Sequence, residues 1–125
     1  MNVLTIIARV VLGFVFVVFG SNAFLHFIPM PPLPATPAGN FIGAMIATHY
    51  IDAVAIFEII GGLLLLVGRY VPLGLALLGP VVVNILLYHV FMDRAGSAPG
   101  IIVALLSLFL LVRYRSAFRP LLMAR

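Results

Sequence analysis

Four long apolar stretches, separated by polar or proline-bearing breaks, organise this chain. The first runs from Val3 to Leu25 and is interrupted only by Thr5, Arg9, Ser21 and Asn22. A bilayer crossing takes ~20 residues, so this stretch can span, and it exceeds the apolar core of an ordinary signal peptide. Ser21-Asn22-Ala23 faintly resembles a small-x-small cleavage site. The leading segment lacks the positive charge of a signal peptide, so a retained helix over 3–25 is expected. Five of the nine prolines then fall between Pro29 and Pro37, which excludes helix and predicts a Pro-rich outer loop. Thr36 followed by Pro37 reads as an N-cap with proline in the first turn, where a helix restarts. Unbroken to Val67, that helix would be roughly 46 Å long, well beyond a ~30 Å hydrocarbon core. A break is therefore expected at the polar cluster His49, Tyr50 and Asp52, with a short interfacial or re-entrant segment before it.

The second span, 50–67, lies behind that break and ends at Gly68-Arg69. Pro72 opens a third, 72–92, whose middle carries the kink signal Gly79-Pro80. Asp93 to Ser97 is a polar turn, and Pro99 sits in the first turn of a fourth span, 99–115. The expected fold class is all-α: one integral membrane domain, residues 1–125, built as a bundle of four transmembrane helices. A faint internal echo suggests two tandem helical hairpins. Asn22 and His26 close the first span as Asn84 and His89 close the third, and Val67-Gly68-Arg69-Tyr70 is echoed by Val112-Arg113-Tyr114.

Composition agrees with the pattern. Hydrophobic residues make up 65% of the chain and charged residues only 8%, against about a quarter charged in soluble domains. Too few charges exist to clothe a soluble surface, so lipid is the solvent. The absence of cysteine removes disulfides, thiolate chemistry and Cys-based metal sites. A net charge of +4 would suggest nucleic acid in a soluble protein. In this setting it reads as membrane topology, and no nucleic-acid partner is expected.

All seven basic residues are arginines. Arg69, Arg113, Arg115, Arg119 and Arg125 belong to one side, Arg9 can snorkel there, and Arg94 beside Asp93 faces the other. Both termini are thus expected on the cytoplasmic side of a bacterial inner membrane, as a multi-pass protein. Phe118, Leu121 and Leu122 interleave with the tail arginines, a pattern suited to an anionic leaflet.

An ionisable side chain within a span costs roughly 2.5–3.5 kcal/mol on insertion scales, so it needs a partner or a task. Glu58 lies nine residues before Val67, ~13 Å deep. Gly61 and Gly62 on the next turn would let a neighbouring helix approach that face. Two expectations compete: a buried Arg9–Glu58 ion pair that fixes helix packing, or Glu58 as a proton-exchanging or ligand-binding group. Asn22, His26, Asn84, Tyr88 and His89 all fall in the outer half, so any ligand cavity should open outward and use these residues with Glu58. His26, His49 and His89 at one level raise a metal or haem, with Asp52 as a further ligand. No two of them have helical metal-motif spacing, so neither metal nor haem is the expectation. Gly39, Gly43 and Ala47 form a small-residue stripe that signals helix packing and, secondarily, a homo-oligomer.

Together these residues resemble the DoxX family of small four-helix bacterial membrane proteins. The resemblance rests on Ala8-Arg9 with Gly13 and Gly20, on the loop from His26 to Pro32, on Glu58-Ile59-Ile60-Gly61-Gly62 through Gly68-Arg69, and on Pro80, Asn84 and His89. Where many relatives carry a lysine near the end of the first helix, this chain has Asn22 and Ala23. The resemblance implies association with quinol-oxidising, thiosulfate-oxidising or thiol-stress complexes, and carries over Arg9, Glu58 and Asn84. The expected function is therefore a membrane subunit of a redox complex, with protein partners and a pocket for a quinone-like apolar ligand. It would not be an enzyme on its own, but a subunit of an oxidoreductase complex. A non-enzymatic assembly module, or a small-solute transporter built as an oligomer, is the alternative.

Overall fold

Each apolar stretch folds as a helix in the computed structural model of the chain, which describes residues 2–125. The long helices are α1 (Val3–Leu25), α3 (Tyr50–Val67), α4 (Val71–Phe91) and α5 (Ala98–Arg113). A shorter α2 (Pro37–Ala47) precedes α3, and α6 (Arg115–Phe118) with a 3-10 turn (Arg119–Leu122) follows α5. Among the described residues there is no β-strand. α1, α3 and α4 are each long and apolar enough to cross a membrane; α5 counts as a fourth span with its continuation, towards which the axis turns by 79°.

Local chemistry sets the ends. The Asn2 side chain accepts the Leu4 N–H at 2.8 Å, and Thr36 Oγ1 accepts the Gly39 N–H at 3.3 Å, so both starts are capped. α1 stops at His26, whose left-handed backbone turns the chain into the Pro-rich loop. Helix breaks again at Thr48 and His49, the polar cluster that separates α2 from α3.

The four long helices form a closed ring in which α1 packs on α3 and α5, and α4 packs on the same two. Leu12 and Phe16 of α1, Leu65 of α3, Leu75 and Leu78 of α4 and Leu110 of α5 fill its centre. Phe14, Phe19, Leu73, Val83, Leu105 and Leu108 point outward, as lipid-facing residues do. Lipid is as apolar as leucine, so close backbone packing has to hold such a ring together. Gly61 and Gly62 serve two neighbours at once. A Cβ on Gly62 would sit 2.8 Å from the Gly13 carbonyl oxygen of α1, and one on Gly61 would sit 3.1 Å from that of Gly74 on α4.

Two expectations are refined by the packing. The chain does run as two consecutive hairpins, α1 with α3 and α4 with α5. The echoed residues nevertheless play different parts: Asn22 Oδ1 accepts the Ile28 N–H across the first turn, whereas Asn84 Nδ2 donates to the Pro80 carbonyl within its own helix. The Gly39 and Gly43 stripe is covered from within the chain. A Cβ on Gly39 would run into the Pro34 carbonyl, and one on Gly43 would touch Leu33. Its small residues admit the Pro-rich loop, which weakens the case for a homo-oligomer built on that face.

Gly68 closes α3 at φ +77°, and a Cβ there would lie 2.7 Å from the Arg9 guanidinium. Gly68→Ala is expected to destabilise the protein by ~1–2 kcal/mol from backbone strain alone, before any displacement of Arg9. Thermal unfolding in detergent measures this; an unchanged melting temperature would contradict the fit described for Arg9.

Candidate functional site

α2 lies across the outer faces of α3 and α4, away from the end that gathers Arg69 and Arg113, and frames a cavity of about 650 Å³. That volume falls within the range of small-molecule sites. Phe41, Ile42 and Met45 form the α2 wall, Ile51, Val54 and Phe57 the α3 wall, and Leu77, Val81 and Ile85 the α4 wall. Into this apolar lining project Glu58 of α3 and Asn84, Tyr88 and His89 of α4. Tyr50 completes the polar set near the end of the groove.

The sequence folds this way because of two helix features. Residues 51, 54 and 58 recur at helical spacing on one face of α3, so Glu58 shares a stripe with Ile51 and Val54. Gly20 of α1 packs behind it: a Cβ there would meet the Ala55 carbonyl and the Glu58 Cβ, both at 3.1 Å. The Glu58 stem is thus clasped by α1 while its head borders the groove. On α4, Pro80 has no N–H, so the Ala76 carbonyl loses its helical donor beside the groove. Asn84 Nδ2 donates to the Pro80 carbonyl at 2.8 Å, which leaves Asn84 Oδ1 as an acceptor.

The aromatic end is equally defined. Tyr88 stacks obliquely on Phe41 with ring centroids 5.9 Å apart, which ties α2 to α4. Its ring also meets His89 edge-on at 5.1 Å. His89 Nδ1 lies 3.1 Å from the Asp93 carbonyl oxygen. A carbonyl only accepts, so Nδ1 carries the proton, and in the neutral ring Nε2 is the acceptor. That edge of the ring packs over Gly100, where a Cβ would lie 2.8 Å from His89 Cδ2.

Glu58, Asn84, Tyr88 and His89 are therefore brought to one groove, and Asn22 and His26 are not. Asn22 closes α1 through Ile28, and His26 is exposed in the turn that follows, because both are spent on ending the helix. Arg9 and Glu58 do not meet either. α1 and α3 run antiparallel with Gly13 beside Gly62 and Gly20 beside Glu58, so Arg9 falls level with Gly68. Eleven residues, ~16 Å of helix, separate Arg9 from the level of Glu58. The expected ion pair is corrected accordingly: the Arg9 guanidinium lies at the C-terminal end of α3, where the helix dipole favours positive charge.

His26, His49 and His89 stay apart. His49 Nδ1 instead pairs with Asp52 Oδ2 at 3.0 Å on the surface, and no cluster of three metal-ligating side chains forms among the described residues. The α2 wall was missed by sequence reasoning, which attended to Gly39 and Gly43. Phe41, Ile42 and Met45 occupy the opposite face of the same helix, an apolar stripe readable from helical spacing alone.

Comparison with known proteins identifies the family of the chain. No curated protein and no solved structure matches the chain. The family model described as DoxX matches residues 4–91, which takes in α1 to α4 and every residue lining the groove. With more than two thirds of its length matched, the chain belongs to the DoxX family of membrane proteins.

Proposed function

We propose that this protein is a membrane subunit that works beside quinone- or thiol-linked redox complexes, and that the groove between α2, α3 and α4 binds a quinone-like apolar ligand. The observation that carries the reading is Glu58: an ionisable side chain, within a span, bordering a cavity of about 650 Å³ that is otherwise mainly apolar. No arginine lines that cavity, so its carboxyl has no cationic neighbour there. A flat, apolar ring carrying two oxygens suits walls of Phe41, Val54, Phe57 and Val81. Glu58 would hold or release a proton, the second N–H of Asn84 Nδ2 would hydrogen-bond a ligand oxygen, and Tyr88 with Phe41 and His89 would close the aromatic end. Redox chemistry would be supplied by the bound ligand and by partner proteins.

The arginine distribution supports both termini in the cytoplasm of a bacterial cell and the groove opening towards the outer half of the inner membrane. The experiment is extraction from native membranes in a mild uncharged detergent, mass spectrometry of co-purifying small molecules, and thermal-shift titration with decylubiquinone. A co-purified quinone or a saturable rise in melting temperature is expected. If neither is seen, the ligand reading falls and an assembly role takes its place.

A further inference from the structure

A second cavity, of about 480 Å³, lies at the opposite end of the bundle from the groove mouth. Its chemistry is the reverse of the first. Arg113, Arg115 and Arg119 line it together with Asn2, Thr5 and Ser116. The three acidic side chains of the chain are elsewhere: Asp52 starts α3 and Asp93 follows α4 at the far end, and Glu58 borders the groove. The cleft is therefore basic without an internal counter-charge from a side chain.

It is also a built cleft. Thr5 is only 1% exposed, and its Oγ1 accepts from Arg113 Nε at 2.9 Å, which fixes one edge of that guanidinium at the wall of the cavity. Arg115 Nη1 donates to the Val112 carbonyl at 2.9 Å, anchoring a second guanidinium at the end of α5. The 79° turn after α5 and the i, i+4 spacing of Arg115 and Arg119 bring the third to the same side. Asn2, the N-cap of the 23-residue α1, lines the cleft as well, so the positive end of a long helix dipole adds to the field.

From this convergence we infer that the cleft is a binding site for a phosphate group, with the headgroup of an anionic phospholipid as the occupant the surroundings favour. Guanidinium forks match phosphate oxygens bidentately, which neither asparagine nor threonine could do alone. Beyond the cleft, Leu121 and Leu122 are 78% and 87% exposed, on a segment turned nearly across the bundle axis. Arg119 and these leucines give one short segment a charged and an apolar part, the arrangement of a chain lying in a membrane interface. A lipid phosphate in the cleft would place its acyl chains beside the exposed Leu121 and Leu122. The site is independent of the groove and of any ligand there.

The test uses the full chain in an uncharged maltoside detergent, titrated separately with dioctanoyl phosphatidylglycerol, dioctanoyl phosphatidylcholine and sodium phosphate. Native mass spectrometry and thermal shift read retention. Phosphatidylglycerol is expected to bind in preference to phosphatidylcholine. Arg115→Gln with Arg119→Gln should weaken it at least about tenfold, the loss expected for charge-assisted bonds to phosphate. Both side chains are exposed on the tail, so the bundle should keep its melting temperature without lipid. Arg125→Gln, which removes charge outside the cleft, should leave binding unchanged. Sodium phosphate that binds as tightly as phosphatidylglycerol and competes with it would uphold the site and assign it to free phosphate. Equal binding by the double variant, an equal loss in Arg125→Gln, or no anion binding to the native protein would overturn it.

Discussion

Glu58→Gln is expected to abolish the pH dependence of ligand binding in the groove and to weaken that binding roughly tenfold or more, while the bundle still assembles. The substitution keeps the shape of the side chain and removes its titration. Its Cβ packs against Gly20 of α1, a contact that glutamine reproduces. What changes is the head, which borders the cavity with Asn84 and Tyr88. A hydrogen bond to a charged carboxylate is worth about 1.5–3 kcal/mol, one to two decades in affinity. Titration of decylubiquinone at several pH values, by thermal shift and by equilibrium binding, measures both quantities. Glu58→Leu sharpens the contrast: an ionisable group costs roughly 2.5–3.5 kcal/mol to insert, so leucine should raise stability while removing binding. If Glu58→Gln shifts the melting temperature and leaves ligand affinity and its pH profile untouched, Glu58 is a packing element and the groove is not a proton-exchanging site.

The parts of this fold that could be read from sequence are those decided locally. Thr36-Pro37 starts a helix because an N-cap oxygen and a preset φ act within one turn, and Gly68 stops one because only its backbone takes φ +77° without strain. The break at His49 follows from length, since the run from Pro37 to Val67 exceeds a bilayer. Register between helices is a different kind of information. The Arg9–Glu58 pair was plausible on composition, yet which residue faces which depends on where two backbones touch. That contact is Gly13 on Gly62, and it slides Arg9 up to Gly68. The role of Asn22 was hidden for the same reason: an asparagine that faces a cavity and one that caps a turn look alike until the loop path is known. The basic cleft needed both ends of the chain at once, because Arg113 meets Thr5 over a separation of 108 residues.

Gly62→Leu should be the most damaging substitution in the protein, and Gly79→Ala, one helix away, should be nearly silent. A Cβ at Gly62 meets the Gly13 carbonyl at 2.8 Å and the Val17 backbone nitrogen at 3.1 Å. Neither is the end of a flexible side chain, so α1 and α3 must separate as bodies. Overpacking of this kind costs about 1–3 kcal/mol even in cores that can adjust, and leucine adds bulk well beyond Cβ. At Gly79 no atom outside its chain neighbours and its own helix backbone lies within 4 Å of the added carbon, and the helical gain of alanine over glycine is offset by the following Pro80, which disfavours a helical residue with a Cβ before it. Thermal unfolding in detergent should therefore drop for Gly62→Leu and hardly move for Gly79→Ala. Separation at Gly62 also reaches the groove, because Glu58 sits one turn away and is held against Gly20 by the same α1–α3 approach. Ligand affinity should fall in Gly62→Ala even at temperatures where that milder variant stays folded, and remain at the native level in Gly79→Ala. Equal affinity in both would mean that the groove is organised by α2 and α4 alone, and that the close crossing of α1 and α3 serves stability without positioning Glu58.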